Sequence, residues 1–85
     1  MRVIAILLLA AATLAAKEPP AAPVNVNTAT VAQLQTLPGV GRSTAREIVR
    51  YREKNGPFRR VEELLIIRGI SKKKLARMRP YVRVR

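Results

Sequence analysis

Gly39 and Gly41 flank Val40 in the stretch Leu37-Pro38-Gly39-Val40-Gly41, and Arg42, Ser43 and Thr44 follow at once. Two glycines one residue apart let the backbone turn sharply and leave its N–H groups uncovered. A helix beginning near Arg42 opens with free amide donors and the positive end of its dipole. That combination attracts anions, phosphate above all. The pattern returns thirty residues later as Ile67-Arg68-Gly69-Ile70-Ser71, followed by Lys72, Lys73 and Lys74. The candidate anion-binding residues are therefore Pro38, Gly39, Val40, Gly41, Arg42, Ser43, Thr44 and Arg46 in the first half. Arg68, Gly69, Ile70, Ser71, Lys72, Lys73 and Lys74 are their counterparts in the second.

The plainer reading of each hairpin is a tight turn between helices. The charges argue against it. Lys72, Lys73 and Lys74 in the first turn of a helix oppose its dipole by roughly 0.3–1 kcal/mol each when exposed. Arg42 does the same at the other hairpin, and phosphates arriving at both helix starts would reverse the sign of the cost. Arg46 and Arg50, spaced i,i+4, share a face, with Arg46 nearer the hairpin. Arg46, Arg50, Arg59, Arg60, Arg68, Arg77 and Arg79 divide between solvated surface, pairing with Glu47, Glu53, Glu62 or Glu63, and partner contact, and Arg83 and Arg85 form a basic tail. Other chemistry has little material. The chain has no His, no Cys and no Asp, so the expectation is no catalysis, no metal site and no cofactor.

The 85 residues carry 17 Lys and Arg against five acidic residues, a net charge of +12. Residues 24–85 hold fifteen of those bases and four of the acids, leaving +11. Such self-repulsion destabilises a compact state unless a polyanion, nucleic acid or an acidic membrane surface, compensates. Residues 1–16 join one arginine to an apolar run from Val3 to Ala16 with small residues at its end, the pattern of a cleaved secretory signal peptide. A membrane anchor is the alternative, but spanning needs roughly 20 apolar residues. Residues 17–23 read as a Pro/Ala-rich spacer that is extended and does not pack, and residues 24–85 as one domain.

Thr30-Val31-Ala32-Gln33 fits a capping box and predicts a helix from Val31 to about Leu37, stopped by Pro38. Ala45, Ile48 and Val49 give the helical stripe of a second, Arg42 to about Lys54, ended by Asn55-Gly56-Pro57. Val61, Leu64, Leu65 and Ile67 mark a third. Leu75 and Met78 mark a fourth that ends before Pro80, with Tyr81 and Val82 folding back on the core. No stretch alternates with period two, so no sheet is expected. A shift of thirty residues superposes the halves: Val31 on Val61, Leu34 on Leu64, Leu37 on Ile67, Gly39 on Gly69, Val40 on Ile70, Ile48 on Met78, and Tyr51 on Tyr81. Neither half buries its apolar face alone, so the two pack about a pseudo-twofold axis with both hairpins on one side.

Leu37-Pro38-Gly39-Val40-Gly41-Arg42-Ser43-Thr44-Ala45 resembles the helix-hairpin-helix signature, and Gly69-Ile70-Ser71 its degenerate second copy. The wider run is similar to the ComEA competence proteins. It comprises Val24-Asn25-Val26-Asn27-Thr28-Ala29-Thr30, then the hairpin, then Tyr51 to Phe58, then Val61-Glu62-Glu63-Leu64-Leu65. The resemblance covers about residues 24–82. It implies an all-α tandem helix-hairpin-helix domain of four to five helices. It also implies an exported, periplasmic protein of the short, signal-peptide form that binds double-stranded DNA without sequence preference during natural transformation. The reading that follows expects phosphate contacts on the minor-groove side and DNA-uptake machinery at the membrane as a further candidate partner; no small-molecule substrate is implied. Two departures stand out: Ser71 where the first hairpin has Gly41, and Arg60 at a capping position that favours Ser or Asp.

Three readings without that function stay open at the level of the residues. One is an exported module that docks on a membrane-bound protein complex, for which a charge of +11 has no use. Another is a basic protein for anionic lipid or cell-wall polymers, which would tolerate loss of the glycines. The third is a DNA-repair fragment, at odds with the leader.

Overall fold

A computed structural model describes residues 17–85; the expected signal peptide lies outside the described residues. Thr30 opens the first helix, α1 (Val31–Leu34), with a complete capping box. Its hydroxyl accepts from the Gln33 amide at 3.1 Å, and the Gln33 side chain accepts from the Thr30 amide at 2.9 Å. α1 is shorter than expected. After Leu34 the chain continues in i→i+3 turns through Leu37, a tightening that satisfies end carbonyls and prepares the entry to Pro38.

The second helix, α2 (Arg42–Asn55), ends at Gly56, whose φ of +89° only glycine adopts readily. The expected third helix is corrected to a 3₁₀ helix, Val61–Ile66. Arg60 supplies no side-chain cap. The Glu63 carboxylate instead accepts from the Arg59 amide at 2.8 Å, one residue before the cap, and so ties the helix start from inside. α3 (Lys72–Met78) is followed directly by a 3₁₀ turn over Arg79–Tyr81, so Pro80 lies inside a helical turn instead of beyond it.

The expectation of no sheet is also corrected. β1 (Val24–Asn25) and β2 (Val82–Arg83) pair in parallel, Val24 beside Val82 and Asn25 beside Arg83. Strands of two residues are too short to show a period, so the alternation had nothing to register in. The domain remains a small, mostly helical, all-α fold, with this clasp joining its two ends.

The thirty-residue repeat is realised in the core. Leu34 and Leu64, Leu37 and Ile67, Val40 and Ile70, Ala45 and Leu75, and Ile48 and Met78 are all buried. Phe58 and Val26 complete the cluster, and the half-buried Tyr51 ring stacks on Phe58 with centroids 5.0 Å apart. No charged or polar residue is buried among the described residues. The apolar faces of the two halves therefore account for the whole interior.

Candidate nucleic-acid interface

Each hairpin is one tight turn. In the first, the Val40 amide donates to the Leu37 carbonyl at 3.1 Å, with Gly39 at φ +79°. In the second, the Ile70 amide donates to the Ile67 carbonyl at 3.1 Å, with Gly69 at φ +99°. A positive φ at the third of four residues is the requirement of a type II turn, and Pro38 suits the position before it. The side chains of Val40 and Ile70 point into the core. They anchor the turns, so only their backbones belong to the surface. Gly39, Gly41, Arg42, Ser43, Arg46, Arg68, Gly69, Ser71, Lys72 and Lys73 are exposed, and Pro38, Thr44 and Lys74 half-buried.

The two turns lie against each other's helices. A Cβ added to Gly69 would stand 2.8 Å from the Thr44 hydroxyl oxygen, and one added to Gly39 would stand 3.4 Å from the Lys74 stem. Thr44 and Lys74 are repeat mates, as are Gly39 and Gly69. The contacts are thus reciprocal about a pseudo-twofold axis, with both hairpins at the amino-terminal end of α2.

The two helix starts differ. Gly41 has ordinary extended backbone at φ −95° and offers no side-chain cap, and a Cβ there would meet nothing within 4 Å. The first-turn amides of α2 thus remain open to an outside acceptor. Ser71 has nearly the same backbone, but its hydroxyl accepts from the Lys74 amide at 3.2 Å. The second hairpin therefore spends one donor on its own cap.

Charge surrounds both turns. The ion pairs among the described residues are Arg50–Glu47 at 3.4 Å and Arg79–Glu62 at 3.1 Å. Arg42, Arg46, Arg68, Lys72, Lys73 and Lys74 take part in neither. Among the described residues no group of His, Cys, Asp or Glu is placed to hold a metal ion.

Sequence reasoning missed three residues that tie the domain together, one of them at the first hairpin. Lys17, in the spacer expected to be free, donates its ammonium to the carbonyls of Leu37 at 2.7 Å and Val40 at 3.0 Å, clasping the first turn from outside. Partial burial pushes its pKa below the ordinary lysine value. Asn27 donates to the carbonyls of Phe58 and Val84 and accepts from the Phe58 amide at 2.7 Å. Arg52 donates to the Val26 carbonyl at 2.8 Å, fixing α2 to the amino-terminal segment. All three act across 20 residues or more, and no local pattern announces such a partner.

A family model described as helix-hairpin-helix motif matches residues 20–83. The chain belongs to the helix-hairpin-helix family. It is ComEA-like: "ComE operon protein 1" of Bacillus subtilis is 41% identical over 62 residues, which are 73% of this chain and 30% of that protein. The human "Endonuclease/exonuclease/phosphatase family domain-containing protein 1" is 49% identical over 55 residues, 65% of this chain but 10% of its own length. An uncharacterized protein of Haemophilus influenzae is 46% identical over 56 residues, 65% of this chain and 50% of its length. This helix-hairpin-helix chain spans half or less of each of these relatives.

Proposed function

We propose that this helix-hairpin-helix domain binds double-stranded DNA without sequence preference, as an exported, periplasmic component of DNA uptake in natural transformation. The observation that carries the reading is the reciprocal packing of two glycine turns beside one uncapped fourteen-residue helix. The amides at the start of α2 donate to a phosphate, and Arg42, Arg46, Arg68 and Lys72 to Lys74 neutralise its neighbours across the minor groove. Contacts of this kind position a protein on the duplex but read no bases. The domain is non-catalytic on this reading. Of the four glutamates in residues 24–85, Glu47 and Glu62 are paired with arginines and Glu63 holds the Arg59 amide. Export rests on the apolar leader, and the role in uptake rests on the likeness to ComE operon protein 1. Held on DNA that has entered the periplasm, such a protein hinders its backward diffusion.

The test is a titration of the purified chain onto a fluorescent duplex of random sequence across a salt series, beside Gly41→Val. The ordinary backbone and open space at Gly41 admit the variant. The Ser71 side chain at the equivalent position reaches a first-turn amide, so a valine here is aimed at the amides a phosphate would reach. The expected wild-type log–log slope is about −0.9 per phosphate neutralised. Most of the affinity should be lost in the variant. Equal binding by both would reduce the hairpin to a turn and leave diffuse charge as the grip. No binding by the wild type near physiological salt would overturn the reading in favour of docking on a membrane-bound complex.

A further inference from the structure

A second basic surface lies at the far end of the domain from the hairpins. α2 starts at the first hairpin and runs 14 residues, about 20 Å at 1.5 Å per residue. The chain then turns through Gly56 and Pro57 to Phe58, Arg59 and Arg60. The carboxy-terminal segment arrives at the same place, because Asn27 donates at once to the Phe58 carbonyl at 2.9 Å and the Val84 carbonyl at 2.8 Å. The backbone carrying Arg59 and Arg60 therefore lies near the backbone carrying Arg83 and Arg85, and all four side chains are exposed at this end. The Arg83 guanidinium donates to the Arg85 main-chain oxygen. None of the four pairs with a glutamate among the described residues: Glu47 is taken by Arg50 and Glu62 by Arg79, and Glu63 holds the Arg59 amide.

We infer that this arginine end binds the phosphate backbone of a second duplex segment, so that one molecule bridges two stretches of DNA. The inference rests on the DNA-binding reading of the hairpins. Four forked guanidinium groups suit phosphate oxygens, each able to meet two of them. A molecule held through its hairpins is surrounded by other segments of the same polyanion at high effective concentration, so the second site fills without further diffusion. A membrane surface fits less well. Phe58 is buried, and the exposed large apolar side chains, Leu65 and Ile66, belong to the 3₁₀ helix before the second hairpin. The arginine end thus carries no apolar wedge of the kind that seats a protein in the headgroup layer.

The experiment immobilises one duplex on beads, adds the purified chain, and reads separately the protein held and the capture of a second, fluorescent duplex. The variants are Arg59→Gln, Arg60→Gln, Arg83→Gln and Arg85→Gln combined, and the milder Arg83→Gln, Arg85→Gln pair, each checked for helical circular dichroism. The wild type should capture the second duplex. The fourfold variant should keep its affinity for the first within about threefold, the loss expected from weaker long-range attraction, while capture falls about tenfold or more. The pair should fall between them. Unchanged capture by the fourfold variant would assign bridging to self-association and overturn the inference. Equal loss of first-duplex binding and capture would do so too, by merging the arginines into the hairpin interface. Arginine-dependent binding to phosphatidylglycerol vesicles without capture of the second duplex would give the surface to a membrane instead. A wild type that does not occupy the first duplex at all would overturn the hairpin reading itself, an outcome the bead-bound protein reports on its own.

Discussion

Gly69 and Thr44 meet so closely that a single added carbon would stand 2.8 Å from the threonine hydroxyl. Their repeat mates, Gly39 and Lys74, meet with slightly more room, at 3.4 Å. One axis therefore relates both hairpins, and each turn is braced by the helix that follows the other. The first turn thus lies beside two basic side chains of the second half, Lys74 and Arg77.

Gly69→Ala should destabilise the domain by about 1–3 kcal/mol, through the left-handed backbone and the close approach to Thr44 together. Thr44→Ala in the same chain should recover the steric part alone, which a double-mutant cycle in urea would separate. Gly41→Ala should change stability by no more than about 0.5 kcal/mol, because its backbone is ordinary and the space beside it is empty.

Asn27→Ala should cost about 2–3 kcal/mol, since it strands two carbonyls and an amide that are partly withdrawn from water. In a domain of this size each kcal/mol lowers Tm by roughly 4–8 °C. A thermal melt followed by circular dichroism checks it. A loss below about 0.5 kcal/mol would show that water replaces the side chain.

Met78→Ala should cost about 2–5 kcal/mol and Ile48→Ala about the same, since both side chains are fully buried at matching places in the two halves. Met78→Leu should cost under about 1.5 kcal/mol, because volume is kept. Urea midpoints of the three variants decide whether the halves contribute equally.

Glu62 should titrate below the ordinary glutamate range. A backbone amide hydrogen bond lowers its pKa most, and the Arg79 hydrogen bond adds to it. A carboxylate held down in the folded state contributes stability above its unfolded pKa and loses it as pH falls through the folded value. The difference in urea midpoint between wild type and Glu62→Gln should therefore be small but present at neutral pH, and vanish in strong acid. A difference that grows on acidification would contradict the assignment.

The hairpins and most of the helices were legible because their causes are local. Pro38 followed by Gly39 encodes a turn within four residues, and the stripe Ala45, Ile48 and Val49 encodes one face of α2 within two turns. The third helix was legible as helical but not as 3₁₀. Its uncapped start at Arg60 and its i→i+3 exit into Ile67 depend on the turn it must enter. The fifteen candidate site residues fall around the two turns. What the spacing did not reveal is that Val40 and Ile70 lend only their backbones.

The amino-acid sequence by itself determined the two turns, the helical phase, the thirty-residue repeat and the excess of positive charge, since each is written in residues a few positions apart. Tertiary structure alone decided that Lys17 clasps the first hairpin, that Asn27 ties Phe58 to Val84, and that β1 meets β2. These contacts join single side chains or two-residue strands across 20 to 58 residues of chain. Periodicity reports which face is buried; it carries no address for a hydrogen bond, which is fixed only when the packed core brings donor and acceptor within about 3 Å.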